Sequence, residues 1–304
     1  MTDELPVIAI FGPTASGKSD VAEAIADRIP ARLISADAMQ VYRGLRILTN
    51  QSTRPTELVG IWDLDHEASV GEYAELAHAA IDRALEDGAT PVVVGGTGLY
   101  LRAALVDLDL PPAPEPGARR RWESEYDRLG AEPAHGLLAD RDPAAAARVH
   151  PNDRRRVVRA LELADAGATL SPQEGRLWSG DTRHPTLIVG LDVPKDVLEE
   201  RIKRRTRQMF ESGVEEEVRL ALRGPISSTA APTHGLEEIA ELPREEALEA
   251  LARATRRYAA YQRKWMRRIP ALVSVPADRP AGEVADEILE MARTRERLPA
   301  GPAG

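Results

Sequence analysis

The pattern of apolar and polar residues in the N-terminal third of the chain alternates between two kinds of segment. Continuous apolar runs occupy residues 5–11, 31–37 and 90–98, and such runs are typical of strands buried on both faces of a parallel sheet. Segments with helical periodicity lie between them, most clearly at 69–88, which begins at a serine cap and ends at a glycine. Because strand and helix alternate, the sequence predicts an α/β fold with right-handed crossovers.

The alternation stops at residues 108–118, where prolines crowd the sequence and indicate a boundary. Apolar runs return at 185–193 and 271–275, with a long helical stretch between them. We therefore predict a P-loop NTPase-like parallel sheet flanked by helices, with a helical insertion and a helical C-terminal region. The expected divisions are the first part of the core at 1–111, the insertion at 112–148, the return to the sheet with the helical region at 149–295, and a disordered tail at 296–304.

Composition narrows the class of protein. The 304 residues include no cysteine, which excludes disulfides, a thiol nucleophile and cysteine-bound zinc. The six histidines lack the spacing of a metal site. There is neither a secretory leader nor an apolar segment of membrane-spanning length, so we expect a cytoplasmic protein that does not bind membranes. A monomer is the default expectation.

Charge is unevenly distributed, although its sum of −9 argues against a nucleic-acid partner. Acidic residues gather in separate helical segments, whereas arginines cluster at 119–121, 152–159, 201–207 and 256–268. Such a chain can bind a polyanion on one face. Any single run, however, is more often a solvated helix face.

The clearest motif follows the first predicted strand and fits G-x-x-x-x-G-K-S: Gly12, Pro13, Thr14, Ala15, Ser16, Gly17, Lys18 and Ser19. In this setting the backbone N–H groups turn around an anion, and the helix N-terminus adds a favourable dipole. Lys18 supplies a positive charge, and the Ser19 hydroxyl can hold Mg²⁺. The sequence therefore predicts a phosphate or diphosphate site.

The other parts of a nucleotide-hydrolysing protein are missing. The third strand ends in VVVGGTG without an acidic residue, and no Asn-Lys-x-Asp motif is present. An acid appears instead at the end of the second strand, where Asp37 lies on the edge of the sheet that carries ligands in open α/β folds. Asp37 is thus a candidate general base, with a turn or cap aspartate as the alternative.

Several motifs then occur in one order: GPTASGKS, LISADAMQVYRGL, SVGEYAELAHAAID, PVVVGGTGLYLRA, RVHPNDRRRVVRALEL, RTRQMFESGVEEEV and TRRYAAYQRKWMR. In this combination the chain resembles the bacterial tRNA dimethylallyltransferases, the IPP transferase family, from residue 5 to about residue 270.

The resemblance implies that the phosphates belong to dimethylallyl diphosphate and leave as diphosphate. The dimethylallyl group would pass to N6 of the adenosine that is 3′-adjacent to the anticodon in tRNA. By the family pattern, Asp37 takes the N6 proton, while Thr14 and Lys18 stabilise the leaving group together with Mg²⁺ held by Ser19. No covalent nucleophile is required.

The resemblance also implies a set of tRNA-binding residues. Gln40 would bind a base edge, the arginines of the RRVVR helix would grip phosphates or stack on loop bases, and the basic stretches 201–207 and 256–268 would contact the RNA backbone. The full set is Asp37, Ala38, Met39, Gln40, Thr97, Arg119, Arg155, Arg156, Val157, Val158 and Arg159.

The chain departs from the family pattern in three places. Ala38 replaces a serine, RILTNQST replaces the usual residues after QVYRGL, and APTHGLEEI keeps only Gly235 of a substrate-facing stretch. Three rivals follow. One is a P-loop small-molecule kinase with ATP in the loop, a second prenylates free adenine nucleotides, and a third binds RNA without catalysis.

Overall fold

The computed structural model of the protein describes residues 5–108, 115, 117–170 and 179–294. It contains a five-stranded sheet in the order β2-β3-β1-β4-β5, and every neighbouring pair is parallel. The predicted α/β class with a parallel sheet is confirmed. The strands are β1 (Val7–Phe11), β2 (Ala31–Ser35), β3 (Thr90–Gly95), β4 (Thr186–Asp192) and β5 (Val273–Pro276).

Helices follow the strands and fill the insertion. Local capping explains where some of them begin: Ser69 accepts the Glu72 N–H at 3.1 Å, and Asp153 accepts the Arg156 N–H at 3.2 Å. The helices are α1 (Lys18–Ala26), α2 (Val70–Glu86), α3 (Gly98–Leu105), α4 (Ala118–Leu129), α5 (Ala131–Arg141), α6 (Pro143–Ala146), α7 (Arg154–Asp165), α8 (Lys195–Glu211), α9 (Val214–Ala221), α10 (Leu236–Glu241), α11 (Arg244–Met266) and α12 (Ala281–Thr294).

The central strand explains the continuous apolar runs of the sequence. All residues of β1 are buried, because β3 and β4 flank it and helices cover both faces. Ile8 and Ile10 belong to a core that also contains Ile25 of α1 and Ile288 of α12. Burial of this kind is the main stabilising term of the fold.

The chain forms two compact units. One contains the sheet, and the other, within Leu108–Gly175, is built from α4, α5, α6 and α7. The sequence placed the end of the insertion at residue 148. In the structure Val157 and Leu161 of α7 share a core with Trp122 of α4 and Leu138 of α5, so α7 belongs to the insertion and not to the returning sheet. The predicted tail at 296–304 lies outside the described residues.

The long helical stretch packs on the loop that follows β2. Leu45 and Leu48 of this loop share an apolar cluster with Phe210 of α8, Val214 of α9 and Leu251 of α11. The loop is thereby fixed beside the carboxyl ends of the strands, the edge at which open α/β sheets bind their ligands. Among the described residues, no helix is long and apolar enough to cross a membrane.

Candidate active site

The P-loop connects β1 to α1 and has the curled shape that an anion site requires. Gly17 has a φ of +88°, a left-handed conformation that glycine adopts without a Cβ penalty. A Cβ on Gly12 would lie 2.6 Å from Ser16 Oγ. Lys18 Nζ donates to the Pro13 carbonyl oxygen at 3.3 Å, so the ammonium group lies beneath the loop.

A polar cavity opens beside this loop. Lys18, Ser19, Asp37 and Arg205 line it. Burial lowers the pKa of Lys18 to about 8, although the Asp37 carboxylate raises it. Burial likewise lowers the pKa of Arg205 to about 10, again opposed by Asp37. Both cations lack the solvation they would have in water, and a bound anion would restore favourable interactions to both.

Asp37 follows β2 and is held by its neighbours. Its Oδ1 accepts the Met39 N–H at 3.0 Å, and the next residue, Ala38, donates its N–H to Thr97 Oγ1 at 3.1 Å. A Cβ on Gly95 would lie 2.0 Å from the Ala36 carbonyl oxygen, so the end of β3 is in direct backbone contact with the segment after β2. Asp37 is therefore rigidly placed at the edge of the cavity.

An apolar cleft adjoins the polar cavity. Asp37, Thr14, Thr49 and Arg205 line both spaces. The apolar side of the cleft comes from Met39, Leu48, Ile202, Met209, Leu251 and Tyr258. The two spaces together suit a molecule with an anionic head and a short hydrocarbon group, with Asp37 where the head and the hydrocarbon meet.

Comparisons of the chain with known protein families and solved structures agree with this sheet and these cavities. A family model described as IPP transferase matches residues 40–269. The chain belongs to the IPP transferase family. A second model, described as isopentenyl transferase, matches residues 5–60 and covers the P-loop.

Individual members of the IPP transferase family resemble most of the chain. A protein of Thermobifida fusca named tRNA dimethylallyltransferase is 40% identical over 292 residues, covering 90% of this chain and 91% of the relative. The full-length tRNA isopentenylpyrophosphate transferase of Bacillus halodurans is 31% identical, with a TM-score of 0.67, over 95% of this chain and 97% of that one. A eukaryotic dimethylallyltransferase is 23% identical over 96% of this chain and 82% of its own, with a TM-score of 0.72, a likeness of fold.

Gln262 of α11 is a site residue that the sequence did not reveal. Its Oε1 accepts the Thr14 N–H at 2.8 Å, and its Nε2 donates to the Gly96 carbonyl oxygen at 2.9 Å. The side chain is 1% exposed, and a Cβ on Gly96 would lie 2.2 Å from Nε2. Gln262 thus ties the P-loop to the turn after β3. The only signal in the sequence was a polar residue on the inward face of an amphipathic helix.

Two arginines of α8 have a different position from the one expected. The sequence assigned the stretch 201–207 to the RNA backbone. In the structure Arg205 lines the polar cavity, and Arg201 Nη1 donates to the Ser16 carbonyl oxygen at 3.4 Å. The expectation for these two residues is therefore corrected: Arg205 faces the polar cavity, and Arg201 contacts the P-loop. Their spacing of four residues puts both on the helix face that meets the loop.

Gln40 is engaged within the protein. Its Oε1 accepts from Ser35 Oγ at 3.0 Å, and its Nε2 donates to the carbonyl oxygens of Thr49 and Asn50 at 3.1 and 3.2 Å. The paired hydrogen bonds to a base edge that the sequence suggested would require these contacts to break. In this structure Gln40 holds the loop after β2 against the sheet.

The two segments that depart most from the family pattern lie against each other. Leu48 and Thr49 from the first segment and Thr233 and His234 from the second all line the apolar cleft. A Cβ on Gly235 would lie 2.8 Å from Leu48 Cδ1. The departures are therefore matched in space, and together they shape one wall of the cleft.

The predicted RNA-binding residues of the insertion divide into three groups. Arg119 Nε and Arg159 Nη1 both contact the buried Glu162 carboxylate, at 3.1 and 3.0 Å. Arg155 and Arg156 are exposed on α7. Val157 and Val158 are 0% and 3% exposed, which corrects their assignment: they hold α7 in the core of the unit and cannot present side chains to RNA.

Proposed function

We propose that the chain transfers a dimethylallyl group from dimethylallyl diphosphate to N6 of the adenosine 3′-adjacent to the anticodon of tRNA, releasing diphosphate. The observation that carries this is the junction of the polar cavity and the apolar cleft, with Asp37 lining both. Membership of the IPP transferase family supports it, and the Thermobifida fusca relative carries the name of this activity.

The residues of the site can account for the charge and the proton that move in this reaction. The bond between the allylic carbon and the diphosphate oxygen breaks, and a bond from that carbon to adenine N6 forms. Negative charge grows on the diphosphate, where Lys18, Arg205 and the amides of the P-loop would stabilise it. The Asp37 carboxylate would accept the proton that N6 loses.

The cavity also fits a magnesium ion bound through the substrate. Mg²⁺ prefers oxygen ligands and is often held by few protein groups together with phosphate oxygens. The Ser19 hydroxyl and the carboxylates of Glu23 and Asp37 line the same cavity. Ser19 would hold the ion, and the ion would neutralise charge on the leaving diphosphate.

The experiment compares three pairs of substrates with one preparation of protein and Mg²⁺. Unmodified tRNA with dimethylallyl diphosphate should yield prenylated adenosine, found by mass spectrometry of the digested nucleosides. AMP with dimethylallyl diphosphate, and ATP with small hydroxyl acceptors, should yield no product. Prenylated AMP without modified tRNA would establish the free-nucleotide prenyltransferase instead, and ATP consumption without any prenyl product would establish the kinase.

A further inference from the structure

A row of aromatic rings leads from the apolar cleft to the surface along α11. Tyr258 lines the cleft, and its ring lies 4.6 Å from that of His234 and 6.4 Å from that of Tyr261, the latter at an angle of 25°. Tyr261 in turn meets Trp265 edge to face at 6.5 Å. Tyr261 is 54% exposed, so the middle ring of the three on α11 faces solvent.

The inner members of this row are fixed in place. The Tyr258 phenol lies beside the Thr97 side chain, and Thr97 accepts the N–H of Ala38 next to Asp37. Trp265 packs so closely on α3 that a Cβ on Gly98 would lie 2.3 Å from its ring. Tyr261 therefore packs between two rings that are held by their own contacts. Its side chain has less conformational entropy to lose when a base stacks on it.

Positive charges flank Tyr261 on the same helix face. Arg257 and Lys264 lie four residues before it and three residues after it, the spacing of neighbours on a helix surface. Within the described residues neither cation has an ion-pair partner, whereas Arg253 and Arg263 of the same helix pair with Glu249 and Asp192. An exposed ring between two available cations is complementary to a strand that carries both bases and phosphates.

We propose that Tyr261 is a stacking platform for an RNA base next to the adenosine that enters the cleft, with Arg257 and Lys264 on the adjoining phosphates. This inference rests on the proposed function. An adenosine drawn out of its loop leaves a neighbouring base without its stacking partner, and single-stranded RNA bases commonly stack on aromatic side chains. The row of rings places such a surface at the outer end of the cleft that holds Asp37.

The test uses an anticodon stem-loop with an adenosine 3′ of the anticodon, and two further RNAs in which one or the other neighbour of that adenosine is abasic. Binding is measured by fluorescence anisotropy without the diphosphate substrate. Tyr261→Ala should weaken binding of the intact loop by about 5- to 150-fold, and Tyr261→Phe should bind like wild type. Leu220→Ala is the matched control, because Leu220 is 48% exposed on α9, and it should change nothing.

The abasic RNAs make the result specific to stacking. With the correct neighbour removed, wild type and Tyr261→Ala should bind equally, since the ring has no base to contact. A Tyr261→Ala loss that is the same on every RNA, or no loss on the intact loop, would overturn the proposal. Because binding is read without turnover, RNA binding that depends on Tyr261 in a protein that makes no prenylated product would overturn the proposed reaction alone.

Discussion

The inner and outer ends of the cleft are built on different principles. At the inner end, Gly95, Gly96 and Gly98 have no room for a Cβ. The Gln262 side-chain amide there hydrogen-bonds to backbone groups through both its oxygen and its nitrogen. At the outer end, Tyr261 is exposed and its flanking cations are available. The geometry of the inner end therefore depends on close packing and on hydrogen bonds. Substitutions there should move the groups around the reacting atoms and lower kcat. The outer end presents an exposed ring and positive charges to solvent. Substitutions there should change the affinity for RNA.

Apart from the loss of Asp37 itself, the largest effect on this comparison is expected from Lys18. Lys18→Ala removes a cation from beneath the P-loop, and losing one such stabilising donor typically lowers kcat by about 10²- to 10³-fold. Steady-state prenyl transfer at saturating RNA measures the loss. Lys195→Ala is the control, because the Lys195 side chain is 85% exposed. RNA affinity should be unchanged in both variants; a loss confined to RNA affinity in Lys18→Ala would erase the distinction between the two ends.

Gln262 should come next. Gln262→Leu keeps the volume but leaves the Thr14 N–H and the Gly96 carbonyl without a buried partner, and each such loss costs about 1–3 kcal/mol. We expect a lower free energy of unfolding and a kcat about tenfold to a hundredfold lower, with KM for RNA unchanged.

Gly96→Ala tests whether the loss of kcat in Gln262→Leu comes from the broken link between the P-loop and the turn after β3. Its Cβ would displace the Gln262 amide, so the double variant with Gln262→Leu should be little worse than either single variant. Additive losses in kcat would mean that Gln262 does not act by tying the P-loop to the turn after β3.

A smaller effect should appear in the pH dependence of diphosphate binding. The pKa of Lys18 is about 8 in the free protein, and a bound anion raises it again because it favours the ammonium form. Binding should be independent of this group below that pH. Above it, affinity should fall by up to about tenfold per pH unit, with proton uptake measured by calorimetry in buffers of different ionisation enthalpy. Lys18→Met should abolish the uptake; uptake that persists in this variant would assign the proton to another group.

The smallest effects are expected from the exposed arginines of α7. Arg155→Gln and Arg156→Gln should each reduce the salt dependence of RNA binding by about one unit of slope, with kcat unchanged. Anisotropy titrations at several salt concentrations measure this. Arg128→Gln, at an exposed position paired with Glu125, is the control. A change in kcat for either variant would place α7 closer to the chemistry than its exposure indicates.

The sequence was sufficient wherever a feature depends on neighbouring residues. The strands, the P-loop and the position of Asp37 after β2 all follow from short patterns, because a buried parallel strand and a glycine-rich turn are defined by local composition. The order of the motifs was enough to indicate the family.

Features that depend on distant contacts were missed or misassigned. The hydrogen bond from Thr14 to Gln262 joins residues 248 positions apart, and no local pattern marks it. Arg205 looked like part of a basic surface because charge alone does not tell which helix face meets the sheet. Val157 and Val158 were grouped with their arginine neighbours by motif, although helical geometry turns them into the core.

The central claim is that Asp37 acts on the adenine while the diphosphate is bound on the other side of it. The most direct measurement is the single-turnover rate of prenyl transfer by wild type and Asp37→Asn, with the affinity for dimethylallyl diphosphate determined for each. We predict a rate about 10²- to 10⁴-fold lower in Asp37→Asn, with diphosphate affinity equal or higher, because a negative charge beside Lys18 and Arg205 has been removed. Transfer at the wild-type rate, or a fall in diphosphate affinity that accounts for the whole loss, would contradict it.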